Sequence, residues 1–405
     1  MDYILIFHSN LNHGLLFPHK YNLLCEESYL KLINFFDSRY PETKWCLEMS
    51  GFTLDYLCST YPKTPDRLRR SINRNCELVS GPYAHSILAN FPYSHGLNSL
   101  KFSCQSWKNW VGCTPRVGWI PECGWRQDVP RMFEEAGFDF LICDFDSYVQ
   151  TRENIFIPRT YAKKPQVIDK YLKIDPDDKD LHFPIRVNER LKGIMRSDRI
   201  SMRVLKYLQN DLSYKELTNC LDYYSKGEGY LVIYANDAEY LGTTGWFNLQ
   251  EMGPDRVFEP APYTFDRLGE IIDYLGKRGN FISISEAVHR FPPRDGIIKI
   301  KDGLSWHHGR CSQWDGTEDA KNLNKSCCEI GKMIEDAEKE LESEVDREKL
   351  LKAWWHLVQA ESADGRYPLP PFRPGENNVK YCRYHLDEAK KIVAELDKIK
   401  NNRLN

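Results

Sequence analysis

Two carboxylates stand out by where they fall in the chain. Glu122 lies in Val117-Gly-Trp-Ile-Pro-Glu-Cys-Gly-Trp125, just after an apolar run and between Pro121 and Gly124. An acid so placed is held on a tight bend rather than on a solvated helix. Asp237 closes the run Tyr230-Leu-Val-Ile-Tyr-Ala-Asn-Asp, and Glu239 shares its face if the chain stays extended. The plainer readings are a helix N-terminal charge for Glu122 and a turn or capping Asp for Asp237. Two carboxylates facing one pocket suit glycosidic-bond cleavage. One, protonated, helps the leaving oxygen depart, and the other, ionised, attacks or activates water. Burial and mutual repulsion would separate their pKa values.

Other polar side chains follow apolar runs in the same way: His8, Asn10, Asn12 and His13, then Tyr83 and His85, then Trp125 and Arg126, then Arg196 and Asp198. In a parallel α/β barrel such strand ends form the ligand-binding face. Trp119, Trp125, Trp246, Trp306 and Trp314 offer rings for stacking on sugars, with burial in the core as the alternative. His307 and His308 are adjacent, so in extended chain they point apart and make a poor metal pair. Gly227-Glu-Gly229 runs into a strand rather than a helix, which gives no phosphate loop. The expectation is an enzyme with no cofactor and no metal.

The elements that must carry these residues alternate. Short β-type runs are expected at Tyr3–His8, Lys44–Met49, Cys76–Ser80, Val117–Ile120, Phe138–Cys143, Lys192–Arg196, Tyr230–Tyr234 and Phe281–Ile284, with helices between them. Asp128–Gly137 reads as a helix with an N-cap Asp and a terminal Gly, and Thr264–Lys277 as another. From about Thr317 the chain turns Lys- and Glu-rich with helical spacing through Ile330, Met333, Ile334, Ala337 and Leu341. Further helices are expected over Arg347–Glu361 and Tyr384–Lys400, separated by the proline-rich stretch Tyr367–Pro374. At least one of Trp354 and Trp355 should pack between the two parts. The division expected is a catalytic barrel over 1–315 and a helical domain over 316–405.

Composition limits the partners. Of 405 residues, 55 are Lys or Arg and 58 are Asp or Glu, so the net charge is −3, without the basic excess of a nucleic-acid or anionic-membrane binder. The apolar run Tyr3–Phe7 has an acid before it and no basic segment or cleavage site, unlike a signal peptide. No stretch is long and apolar enough for a membrane span. The 13 scattered cysteines, with no Cys-x-x-Cys pair, fit free thiols in a reducing cytoplasm.

These residues resemble glycoside hydrolase family 57. Trp119-Ile-Pro-Glu122-Cys-Gly-Trp125 is similar to the family's third motif, in which the Glu is the nucleophile. Asp237-Ala-Glu-Tyr-Leu-Gly242 resembles the fourth, in which the Asp is the acid/base. Cys76–His85 resembles the second, matching its Glu, Tyr and His. Lys44–Leu54, Arg196–Ser201 and Gln359–Asp364 are also similar to family segments. The resemblance spans about residues 3 to 390 and implies an incomplete (β/α)7 barrel followed by a helical bundle. It further implies a retaining glycosidase or glycan transferase acting on α-linked oligo- or polysaccharides. Glu122 and Asp237 would be catalytic. His8, Asn10, Tyr83, His85, Trp119, Trp125, Arg196, Glu239, Trp306 and Asp364 would bind substrate, with Asp364 reaching the barrel mouth. The family's first motif usually reads His-x-His-Gln-Pro, whereas here the stretch is His8-Ser-Asn10-Leu-Asn12, with Asn for the second His. Ser305-Trp-His-His-Gly309 is the candidate for the fifth motif. A metal-dependent carbohydrate deacetylase, or a non-catalytic sugar-binding protein on the same barrel, are the rival readings. The first would need an Asp pair and a His-x-x-x-His repeat in the barrel strands, and neither is present.

Overall fold

The computed structural model describes residues 1–12, 16, 18–155, 174–245, 258–306, 309–340, 343–366 and 376–404. The sheet is built from β1 (Asp2–Ser9), β2 (Trp45–Met49), β3 (Cys76–Ser80), β4 (Val117–Trp119), β5 (Phe140–Asp144), β6 (Ile185–Arg186), β7 (Lys192–Arg196) and β8 (Tyr230–Asp237). Its order is β6-β7-β5-β4-β3-β2-β1-β8. All neighbours are parallel except β6, which runs antiparallel along β7.

Period-2 alternation sorts each strand between two cores. Ile4, Ile6, Cys46, Val79, Val117, Phe140, Ile142 and Ile194 fill the inner face. Tyr3, Leu5, Phe7, Trp45, Leu47, Leu78, Leu141 and Met195 pack outward against the helices. The barrel stays open because β7 and β8 share no ladder. That seam exposes Ala235 on the edge of β8, and side chains satisfy it. Its N–H donates to Ser201 Oγ (3.0 Å), and its carbonyl accepts from Arg196 Nη2 (3.0 Å).

One irregularity decides which way the end of β8 faces. Ile4 pairs with Val232, but Leu5 pairs with Tyr234, so Ile233 is an extra residue, a bulge. Val232 and Ala235 therefore both face the barrel, while Ile233 and Tyr234 both face the helices. A regular strand would turn Asn236 inward; with the bulge, Asp237 pairs with His8.

Most expected elements are present with shifted ends; one differs in kind and one in its cap. Phe281–Ile284 is not a strand: Phe281 makes one parallel bridge to Tyr3, and Ser283 with Glu286 forms a capping box that starts the helix Ile284–Arg290. Asp128 precedes the helix Val129–Glu135 but does not cap it, because its carboxylate is taken by Arg126 at 2.5 and 3.0 Å.

After the barrel, the helices Glu318–Glu338, Glu344–Ala360 and Glu376–Leu404 pack on one another. Their core includes Leu323, Ile330, Ile334, Trp354, Leu357 and Leu386. Polar contacts lock this bundle to the barrel. His95, from the helix Tyr93–Val111, meets Glu361 at 2.5 Å. Ser86 bridges Ser362, and Ala363 N–H donates to the His85 carbonyl (3.2 Å). Trp354 meets the His95 ring and Trp355 the Tyr83 ring, at 5.4 and 6.2 Å between centroids.

The His95 ring lies directly over Gly331, where a Cβ would stand 1.9 Å from Nε2. Both partners of the His95–Glu361 pair are only 1% exposed, so the ring has no free path aside. Gly331→Ala should therefore cost about 1–3 kcal/mol by overpacking. A urea melt followed by circular dichroism checks it, and an unchanged midpoint would mean that the ring can move.

Candidate active site

At the C-terminal rim, strand alternation replaces the apolar inner face with one polar layer. His8 follows Ile6, Glu48 follows Cys46, Trp119 follows Val117, Asp144 follows Ile142, Arg196 follows Ile194, and Asp237 follows Ala235. No single strand end would reveal this layer; the parallel register assembles it.

His8 sits at its centre. Its Nδ1 is in hydrogen-bond contact with Glu48, the opposite residue on β2, which is 1% exposed. One face of the ring stacks on Trp119 (5.2 Å, 14°) and His85 lies 4.7 Å away. Burial works against a charge on this ring. Glu48, helped by Asp237 and Glu239, outweighs burial and pushes the His8 pKa up to about 10, so the ring is an imidazolium at neutral pH.

Glu122 follows β4 on a left-handed elbow. It has φ +52°, and the next residue, Cys123, has φ +50°, a conformation that non-glycine residues rarely adopt. Such backbone costs on the order of 1–3 kcal/mol and is concentrated at functional sites. The elbow presents the carboxylate to His85 Nε2 at 3.3 Å and to the Trp306 indole N–H, which donates to the other oxygen. His85 also has positive φ, +53°. The Glu122 side chain keeps 26% exposure. Burial would raise its pKa, but the hydrogen bond and charge of His85, the His8 charge and the Trp306 hydrogen bond lower it below the ordinary 4.5.

Asp237 ends β8 opposite His8 and leads into the turn Ala238–Tyr240. That turn buries Glu239 to 1% exposure. Glu239 Oε1 accepts from Asn10 N–H (2.6 Å) and from the Tyr29 hydroxyl. Burial and the Asp237 charge push the Glu239 pKa up to about 8, so the two neighbouring carboxyls retain one proton between them at neutral pH. The pair thus comprises one partly buried carboxyl at the rim and a second, buried one behind it.

Asn10 joins barrel and bundle: its Nδ2 donates to Asp364 Oδ2 (3.1 Å), and its Oδ1 accepts from Asn12 N–H (3.1 Å). Asp364 stands on the turn Ala363–Gly365, next to the segment bridged to Ser86 and His85. This brings the carboxylate of the helical region to the end of β1.

The remaining expected residues are placed differently. The Tyr83 hydroxyl donates to Asp55 (2.7 Å), away from the His8 layer. Trp125 is buried in the outer core. Arg196 is 3% exposed and divides its guanidinium among Asp144 (3.3 Å), Asp198 (3.1 Å) and the β8 seam. Trp314 is buried beside Ile87 and Cys311. His13, Trp246, His307 and His308 lie outside the described residues. Among the described residues no three His, Cys, Asp or Glu side chains are grouped to hold a metal ion, and no helix is long and apolar enough to cross a membrane. Sequence reasoning missed Glu48 and Tyr29. Glu48 was detectable, since it shares strand parity with Cys46; Tyr29, inside a helix, gave no signal.

Comparison with known proteins agrees with this architecture. The α-amylase of Pyrococcus horikoshii is 28% identical over 160 residues, which is 38% of this chain and 24% of that protein. The 4-α-glucanotransferase of Thermococcus kodakarensis is 24% identical over 269 residues, 64% of this chain and 35% of that protein. This chain therefore spans only about a sixth to a third of the curated relatives it matches. The crystal structure of a family 57 branching enzyme from Thermococcus kodakaraensis superposes with a TM-score of 0.70 at 12% identity, covering 98% of this chain and 90% of that one. Residues 16–301 match glycosyl hydrolase family 57, and with most of its barrel inside that match the chain belongs to this family.

Proposed function

We propose that this chain is an enzyme that cleaves α-linked oligo- or polysaccharides with net retention, passing the sugar to water or to a second sugar. The observation that carries the reading is Glu122, an ionised and partly exposed carboxylate held through both oxygens on a left-handed elbow. In the first step an oxygen of Glu122 attacks the anomeric carbon while the Asp237 carboxyl gives its proton to the departing glycosidic oxygen. The C–O bond to the leaving sugar breaks and a glycosyl ester forms. In the second step Asp237 takes the proton from water or an acceptor hydroxyl, whose oxygen displaces Glu122. Two inversions give retention.

Trp306 bonds Glu122 and His8 lies opposite Asp237, while Trp119 stacks on His8 and Asn10 joins Glu239 to Asp364; these five, His8, Asn10, Trp119, Trp306 and Asp364, are the residues we assign to sugar binding. The names of the relatives, an α-amylase and a 4-α-glucanotransferase, support α-glucans as the substrate class. The family match favours this over the metal-dependent deacetylase reading. We place the catalytic barrel at 1–315 and the helical domain at 316–405. Free thiols at all 13 cysteines support a reducing, cytoplasmic setting.

Glu122→Ala should lower turnover by several orders of magnitude, since no glycosyl ester can form. Azide should partly rescue it and give a glycosyl azide of inverted configuration, identified by proton NMR. A retained product would exclude Glu122 as nucleophile.

Asp237→Ala should lower kcat/KM severely for a sugar leaving group and mildly for a nitrophenyl glycoside, whose phenolate departs without protonation. Azide should here give the retained product. Equal losses on both substrates would remove Asp237 from the acid/base role.

Activity needs Glu122 ionised, so the acidic limb of kcat/KM should lie below the ordinary 4.5. His85 is the foremost cause of the lowering, so His85→Phe should move that limb to higher pH. A limb that stays in place would mean that another group sets it.

A further inference from the structure

The helix that follows β1 is irregular where it passes the acid loop. Leu30 N–H donates to the Cys25 carbonyl, five residues back, so Cys25–Tyr29 form a single wide π turn between the regular segments Tyr21–Leu24 and Leu30–Ser38. Such turns are uncommon and are frequent at functional sites.

Three contacts from this turn converge on the segment Asp237–Gly242. The Ser28 hydroxyl donates to the Ala238 carbonyl (2.7 Å). The Tyr29 hydroxyl donates to Glu239 Oε1. The Glu27 carbonyl lies against Gly242, where a Cβ would stand 1.8 Å from it; Gly242 also has φ +79°, so no other residue fits there without strain. Glu239 Oε1 is thereby fixed from two sides, by Tyr29 and by Asn10 N–H at 2.6 Å. Tyr29 itself is 1% exposed in the outer core, on the helix side of the sheet, and has no route to a sugar.

We propose that Tyr29 is a positioning residue for the acid/base step. The π turn clamps the loop behind Asp237, and the Tyr29 hydroxyl holds Glu239 so that the Asp237 carboxyl stands where the glycosidic oxygen will be. This rests on Asp237 being the acid/base. A displacement of the acid by about 1 Å can cost on the order of a hundredfold in rate. In glycosylation, which kcat/KM reads, that loss falls on leaving groups that need a proton and spares those that depart without one.

The test compares two substrates, a maltooligosaccharide and a nitrophenyl α-glycoside, in the full chain. Tyr29→Phe removes one oxygen and keeps the ring. It should lower kcat/KM on the maltooligosaccharide by about tenfold to a hundredfold and change kcat/KM on the nitrophenyl substrate by less than about threefold. Ser28→Ala should show the same pattern with a smaller loss, and it carries the test if Tyr29→Phe does not fold by circular dichroism. Equal losses on both substrates, or none on either, would overturn the proposal. Asp237→Ala runs alongside. If it shows leaving-group dependence and the Tyr29 variant does not, only the role of Tyr29 falls. If Asp237→Ala shows none, the acid/base reading falls and the proposal with it.

Discussion

The His8 ring is buried at the top of β1 and yet keeps its proton, because the Glu48 carboxylate across the strand pair stabilises it. That buried cation shapes the site. It helps to hold Glu122 ionised on one side, and on the other it faces Asp237 and Glu239. Without it, these carboxylates would share a partly buried pocket and repel one another. With it, the groups settle unequally: Glu122 is lowered, while Glu239, more deeply buried and next to Asp237, is raised to about 8. The double displacement we propose needs an ionised nucleophile, which Glu122 supplies, and a proton to give, which the coupled Asp237 and Glu239 carboxyls retain between them.

The inequality depends on geometry supplied by backbone irregularities rather than by regular elements. The bulge at Ile233 reverses the parity of β8, so that Asp237 and not Asn236 meets His8. The left-handed elbow at Glu122 turns a residue just past β4 back towards His85. A third positive φ, at His85, lies where the helical region docks, since its carbonyl accepts from Ala363. Regular strands bring the layer together, and these departures aim the side chains within it. The strain is sustained because the neighbouring contacts overdetermine each conformation.

How much of this was legible in the sequence follows from what periodicity can encode. Cys76–Ser80 and Lys192–Arg196 were read to the residue, because each is a short apolar run between polar neighbours. Glu122 stood out through the Pro and Gly around it. Asp237 stood out as the end of an apolar run, but the bulge that turns it inward left no mark, since every residue from Tyr230 to Ala235 suits either face. The apolar stretch at Phe281 read as strand until the Ser283 and Glu286 capping box proved stronger. Tyr83 and Arg196 carried the right chemistry at strand ends, but polar partners brought in by tertiary packing, Asp55 for one and Asp144 with Asp198 for the other, engage them. No pattern local to the chain specifies such partners.

The departure at Asn10 makes physical sense in this setting. An imidazole at that position could carry a second charge beside His8, close to Asp237 and Glu239. The amide is always neutral and offers both a donor and an acceptor. Its donor goes to Asp364, its acceptor to the Asn12 N–H, and its own backbone N–H to Glu239. One short residue thus ties the acid loop to the helical region without altering the charge balance that His8 sets. The bundle is in this way part of the site: Asp364 is held in place by Ala363 on His85 and by Asn10 just past β1, so the ordering of barrel and bundle is coupled. A shift of the helices would move the Asp364 carboxylate, disturb Asn10 and loosen one of the hydrogen bonds that fix Glu239 behind Asp237.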